Sequence, residues 1–157
     1  MKKILIFLGC PESPIQTPLA LYLSHKLREK NYRVTVTANP AALRLLEVAD
    51  PARSYLDKTS DLDSTLAGLS KGEYDLLFGF IHNDAALSYF ITFKSILEIP
   101  SIAIIFGRDV EILNTLEREV EENTDSYIVS VRAHHNPNPL KVRIDKLLEE
   151  LENVILS

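Results

Sequence analysis

The chain has 157 residues, a single cysteine and a formal net charge of −5 at pH 7, with acids and bases interspersed along its length. That length suits one α/β domain, residues 1–157, able to bury roughly 70% of the surface its unfolded form would expose. There is no internal disulfide to make, no basic stripe to follow a phosphate backbone, and no apolar run near the ~20 residues of a membrane helix. Neither nucleic acid nor membrane is expected as a partner.

Lys3 to Pro18 reads as a buried strand (Ile4 to Leu8) that breaks at Gly9 and Pro11 and turns into a helix. An apolar run of this kind suits the centre of a parallel sheet covered on both faces. Two helix starts compete. Ser13-Pro14-Ile15-Gln16 resembles a capping box with proline at the first helical position, whereas Thr17 as cap would make Pro18 the first residue and leave Gly9 to Gln16 as a long loop. In either case Leu19, Leu23 and Leu27 share one face, to about Lys30. Tyr32 to Thr37 alternates valine with threonine, a strand with one wetter face. Asn39-Pro40 caps a short helix that stops before Asp50-Pro51.

Residues 51–60 carry no clear period and read as an irregular connection. Asp61 to Lys71 is a modest helix closed by Gly72. Leu76 to Ile81 and Ser101 to Phe106 are apolar on both faces and therefore central strands. The first leads through His82-Asn83-Asp84 into a helix of about Ala85 to Leu97 with Asp84 as cap. The second leads through Gly107-Arg108-Asp109 into an acidic helix of about Val110 to Glu122. Ser126 to Val131 is a fifth strand, the least distinctive and compatible with an antiparallel edge. After it, a last helix places Leu140, Ile144, Leu147 and Leu151 on one stripe.

Strands alternating with helices predict a three-layer α/β/α sandwich with a five-stranded, mostly parallel sheet, flavodoxin-like or Rossmann-like. The expected order is 2-1-3-4-5, with 3-2-1-4-5 as the alternative, and the ligand site of such sheets lies beyond the carboxyl ends of the strands.

Asn, Asp, Pro and Gly are what loops and helix caps are made of, which accounts for Asn39, Asp109, Asn136 and Asn138. The histidines and the cysteine are not turn formers. The candidate ligand-binding set is therefore Cys10, Glu12, His82, Asn83, Asp84, Arg108, His134 and His135. The loops lack the glycines of a dinucleotide fingerprint and the Lys and Ser/Thr of a P-loop. Glu12, Asp84 and Asp109 also stand near helix starts, where a phosphate would otherwise gain from the dipole, so a flavin phosphate or ATP is disfavoured. A cysteine loop for phosphate chemistry would need amides and an arginine; this one has three prolines between positions 11 and 18. Cys10 reads as an ordinary structural thiol. The mixed nitrogen, oxygen and sulfur donors match no compact metal motif, so no metal is assigned. No cofactor is named either.

The motifs LGCPESPIQTPLALYL, ANPAALRLLEVADP, GFIHNDAALSY, IIFGRD and RAHHNPNPL together resemble a small family of uncharacterised proteins from methanogenic archaea, over nearly the whole chain. The resemblance implies a cytoplasmic archaeal α/β protein connected with methanogen metabolism, which the free thiol also fits, and brings no catalytic residue. The first ~50 residues are more weakly similar to small sulfur-relay proteins of the DsrE type, in which a cysteine elsewhere carries the sulfur.

The leading expectation is a protein that binds a small polar ligand at the carboxyl edge, with Arg108 holding a carboxylate and a histidine or Asp84 as general base. The alternatives are a non-catalytic oligomeric adaptor and sulfur or thiol transfer through Cys10. Cys10, His82, Asp84 and Arg108 are expected in one cleft. A homodimer is expected because Tyr89, Phe90, Ile91 and Phe93 make one helix apolar almost all round.

Overall fold

The computed structural model describes residues 1–155. A single sheet holds six parallel strands: β1 (Lys3–Leu8), β2 (Arg33–Ala38), β3 (Lys58–Asp61), β4 (Leu76–Ile81), β5 (Ser101–Gly107) and β6 (Tyr127–Arg132). Their order is β3-β2-β1-β4-β5-β6. The five expected strands thus lie in the expected 2-1-3-4-5 order, and the sheet has one strand more than expected. That strand, β3, is at the edge beside β2, pairing Lys58 with Thr35 and Asp61 with Ala38. Its sequence KTSD has no apolar period to betray it. It is positioned instead by carboxylates. Asp50 accepts from the backbone N–H groups of Ser54, Tyr55 and Leu56 at 2.7, 3.0 and 2.9 Å, and Asp57 accepts from Val34 N and Arg33 Nε at 3.2 and 3.1 Å. The segment expected to be irregular is therefore pinned. At the other edge β6 runs parallel to β5, not antiparallel.

The helices are α1 (Gln16–Glu29), α2 (Pro40–Ala49), α3 (Leu62–Gly68), α4 (Asp84–Leu97), α5 (Val110–Asn123) and α6 (Asn138–Glu150), the last continuing into a wide turn over Leu151–Ile155. Pleating sends successive strand residues to opposite faces, and each face has its own core. Ile4, Ile6, Leu8, Phe78, Phe80, Ile104 and Phe106 pack under α1, α2 and α6. Leu5, Phe7, Leu77, Ile81, Ala103 and Ile105 pack under α3, α4 and α5. On β2 the wetter face is not realised: Thr35 and Thr37 are buried with the valines, and Thr37 Oγ1 hydrogen-bonds Thr65 Oγ1 at 2.9 Å.

Helix starts differ in detail from expectation. α1 begins at Gln16 after Ile15, with no side-chain cap; Pro18 falls at its third residue, where a missing N–H breaks no intrahelical bond. Asn83, not Asp84, caps α4, accepting from Ala86 N at 2.9 Å. The apolar surplus of α4 is used inside the chain. Phe90 and Phe93 are fully buried, Tyr89 and Ile91 pack against the same core, and the rings of Phe7 and Phe93 lie 5.6 Å apart. Among the described residues no helix is long and apolar enough to cross a membrane.

Candidate functional site

Because all six strands are parallel, all six helices start at the same edge of the sheet. The strand order reverses between β1 and β4, the switch point outside which such sheets hold their ligands. The loops after β1, β4, β5 and β6 enclose a cleft of about 210 Å³ there, lined by Glu12, Ser13, His82, Phe106 to Asp109, Ile112, Leu113 and His134.

The floor is His82, whose ring stacks on Phe106 with centroids 5.6 Å apart and planes 30° apart. Its side chain is only 8% exposed, and Nε2 lies 3.4 Å from Glu12 Oε2, a carboxylate that is itself 67% exposed. Asn83 Nδ2 approaches the same nitrogen at 3.4 Å. The other ring nitrogen, Nδ1, is buried with no hydrogen-bond partner. Burial pulls the His82 pKa below the ordinary histidine value, and the Glu12 charge and hydrogen bond only partly offset this. His82 is thus a neutral imidazole near pH 7 whose proton position depends on its neighbours.

Gly9 makes room for that ring. A Cβ on Gly9 would come within 2.9 Å of Ala86 Cβ and 3.1 Å of His82 Cε1. Its carbonyl accepts from Gln16 Nε2 at 3.0 Å, while Gln16 Oε1, also buried, has no partner. The β1 loop is tied to the last loop by Ser13 Oγ, which donates to the His134 carbonyl at 3.3 Å. On the far wall Asp109 caps α5, accepting from Glu111 N and Ile112 N at 2.8 and 3.4 Å. The Arg108 carbonyl accepts from Arg132 Nε at 2.9 Å. Arg108 makes no ion pair with a described residue; it is an exposed residue of the cleft lining, as is Ile112, 52% exposed. Partial burial, then Arg108 and His135, lower the His134 pKa.

Of the eight candidate residues, Glu12, His82, Arg108 and His134 line this cleft. The other four do not. The Cys10 thiol is exposed and accepts from Asn39 Nδ2 at 3.4 Å, so it sits toward the β2 loop while Glu12 leans toward the β4 loop. Asn83 is used as the α4 cap, Asp84 is an exposed first-turn residue, and His135 is exposed, its ring edge-on to His134 at 4.5 Å. The expectation that Cys10 and Asp84 share a cleft with His82 and Arg108 is therefore corrected. Glu12 likewise does not guard the start of α1; it faces His82. Ser13, Ile112 and Leu113 went unnoticed in the sequence because they look like a cap and a helix face.

A larger depression of about 460 Å³, between Lys94, Pro100 and Tyr127, lies at the opposite, amino edge of the sheet. Its lysine is satisfied by Asp125 at 2.8 Å and by the Ile99 carbonyl, so it offers nothing unpaired to a ligand. Among the described residues no three His, Cys, Asp or Glu side chains come together to hold a metal ion.

Comparison with known proteins agrees with the resemblance carried by the sequence motifs. Over 153 residues the chain is 39% identical to an uncharacterized protein of Methanocaldococcus jannaschii, covering 96% of this chain and all of that one. The solved structure of MT0777 superposes with a TM-score of 0.94 at 55% identity, covering 96% of this chain and 99% of that one. More distantly, AnUbiX (PadA1), solved in complex with FMN and dimethylallyl pyrophosphate, matches with a TM-score of 0.63 at 16% identity over 96% of this chain and 90% of that one; at that identity the fold is what is shared. One family model spans residues 5–147, and the chain belongs to the family it describes, Domain of unknown function (DUF1890).

Proposed function

We propose that this protein binds a small polar ligand in the cleft at the β1/β4 switch point, with Arg108 contacting the ligand's charged group and His82 contacting it from the floor. The observation that carries this reading is His82: a nine-tenths buried imidazole kept neutral, with one nitrogen unpartnered and the other 3.4 Å from a carboxylate. Buried polar groups are normally paired, so a ring whose Nδ1 is left unpartnered beside Gly9 while its Nε2 is turned toward the exposed Glu12 carboxylate argues for a role beyond packing. If a reaction occurs, His82 is the group placed to accept or return a proton, with Glu12 steering the tautomer.

The fold relative solved with FMN raises flavin as a ligand. The residues here do not fit it: the helix starts facing the cleft carry Asp109 and Asn83 as caps, and no amide-rich loop receives the phosphate. Transfer of sulfur through Cys10 is the weaker reading, since the thiol lies outside the cleft.

The test is a fragment screen against ¹⁵N-labelled protein, followed by amide shifts. Hits should collect on Glu12, Ser13, Gly107, Arg108 and His134. Hits that collect instead on Lys94, Ser101 and Tyr127 at the amino edge would overturn the reading.

A further inference from the structure

We infer that the cleft is built for an unphosphorylated carboxylate on an apolar body no larger than about one ring, and that it rejects phosphate esters; this deepens the proposed function and rests on it. The helix starts at this edge disfavour phosphate. Phosphate is ordinarily held by free amides and the positive end of a helix dipole. All six helices start at this edge, and a cap or a proline takes up part of each first turn, so none offers a full set of amides. α1 has lost a donor to Pro18 at its third residue. Asn39 and Pro40 close α2. Asp61 caps α3, with Asp63 behind it, Asn83 and Asp84 serve α4, and Asp109 and Glu111 serve α5. α6 has Pro139 in its first turn, and its Asn138 N–H is taken by Asn136 Oδ1 at 3.1 Å. At two of these starts, α3 and α5, the group already bound is a carboxylate, which supplies the charge a phosphate would bring.

The charge of the cleft disfavours a dianion as well. Its lining holds one guanidinium, Arg108, against two carboxylates, Glu12 and Asp109. Burial keeps His82 from adding a positive charge. Arg132 stands just outside, its Nε spent on the Arg108 carbonyl. A dianion gains little here, whereas a single carboxylate matches the planar fork of one free arginine. Size and polarity narrow the ligand further. A volume of about 210 Å³ falls below the ~300–1,000 Å³ of sites for drug-sized ligands. Ile112, Leu113 and Gly107 form an apolar wall beside Arg108, so the body attached to the carboxylate is itself apolar.

Benzoate, benzamide and phenyl phosphate share one ring and differ only in the head group, which makes them the probes. Titrated into ¹⁵N-labelled protein, benzoate should shift the amides of Gly107, Arg108 and His134 and bind on the order of tenfold more tightly than either of the others, with Arg108→Ala removing that advantage and Arg108→Lys restoring part of it. Arg108 is exposed, so neither variant threatens the fold. Phenyl phosphate or benzamide binding at the same amides as tightly as benzoate would overturn the ligand class and leave the site standing. If no probe shifts those amides at ~10 mM, well above the ~1 mM of a weak complex, or if Arg108→Ala changes nothing, the site and this inference both fail.

Discussion

His82 Nε2 lies 3.4 Å from Glu12 Oε2, across the loops that succeed two adjacent strands. The carboxylate favours the imidazolium and burial opposes it, and burial wins. Glu12→Gln should therefore move the His82 pKa further down, which a titration of the ring Cε1 proton by NMR would detect. An unchanged or higher value would mean that the pair does not form in solution.

The same depression carries a stability consequence. A histidine whose folded pKa is below its unfolded value binds more protons when unfolded, so stability is complete above the unfolded value of ~6.5 and declines as pH falls from there through the folded value. His82→Gln should flatten the loss of stability between about pH 7 and pH 5 relative to the parent protein. Denaturant midpoints across that range are the measurement; parallel curves would exclude His82 as the source.

Gly79 on β4 is required by packing. A Cβ there would fall 2.2 Å from the Phe90 ring, which is fully buried and has nowhere to go. Gly79→Ala should cost about 1–3 kcal/mol through overpacking. Phe90→Ala alone should cost about 3–5 kcal/mol. Because the two share one space, the double variant should be less damaged than the sum of the singles. Strict additivity in urea unfolding would contradict this geometry.

Asp50 controls the edge strand. Burial pushes its carboxyl pKa up, but bonds from Leu56, Tyr55 and Ser54 N–H outweigh that and hold it below the usual carboxylate range. Its contribution is thus present above the unfolded value of ~3.9 and is lost as pH falls through the folded one. Asp50→Ala should cost about 1–3 kcal/mol from donors left unpaired. Hydrogen exchange should speed up first at residues 54–61, with β1 and β4 unchanged; uniform acceleration would point to general destabilisation instead.

Cys10→Ser should keep both the fold and binding in the cleft, because the thiol is exposed and its contact is with Asn39. Circular dichroism and the same amide titration check this. Loss of binding with the fold intact would return Cys10 to the site.

Where residues bury on both faces, the pattern announced itself: LLFGFI and SIAIIF could only be central strands, and the residues directly after them had to stand at the carboxyl edge. His82 and Arg108 were legible for that reason. β3 was not, because KTSD is held by the carboxylates of Asp50 and Asp57 in the segment just before it and by pairing with β2 rather than by its own pattern. Nor was the direction in which each loop leans. β1 has a neighbour on each side, and nothing in GCPES says that Cys10 goes toward β2 and Glu12 toward β4. Asn83 and Asp84 were exchangeable as caps until the hydrogen bond to Ala86 N chose between them.

The bond from Ser13 Oγ to the His134 carbonyl joins positions 121 residues apart. During synthesis, then, the β1 loop emerges long before the segment that closes over it, and a ribosome-bound chain stopped short of β6 has an unpaired β5 edge and a cleft lacking one wall. Ligand capacity should consequently appear late and all at once during translation, as non-local contacts do.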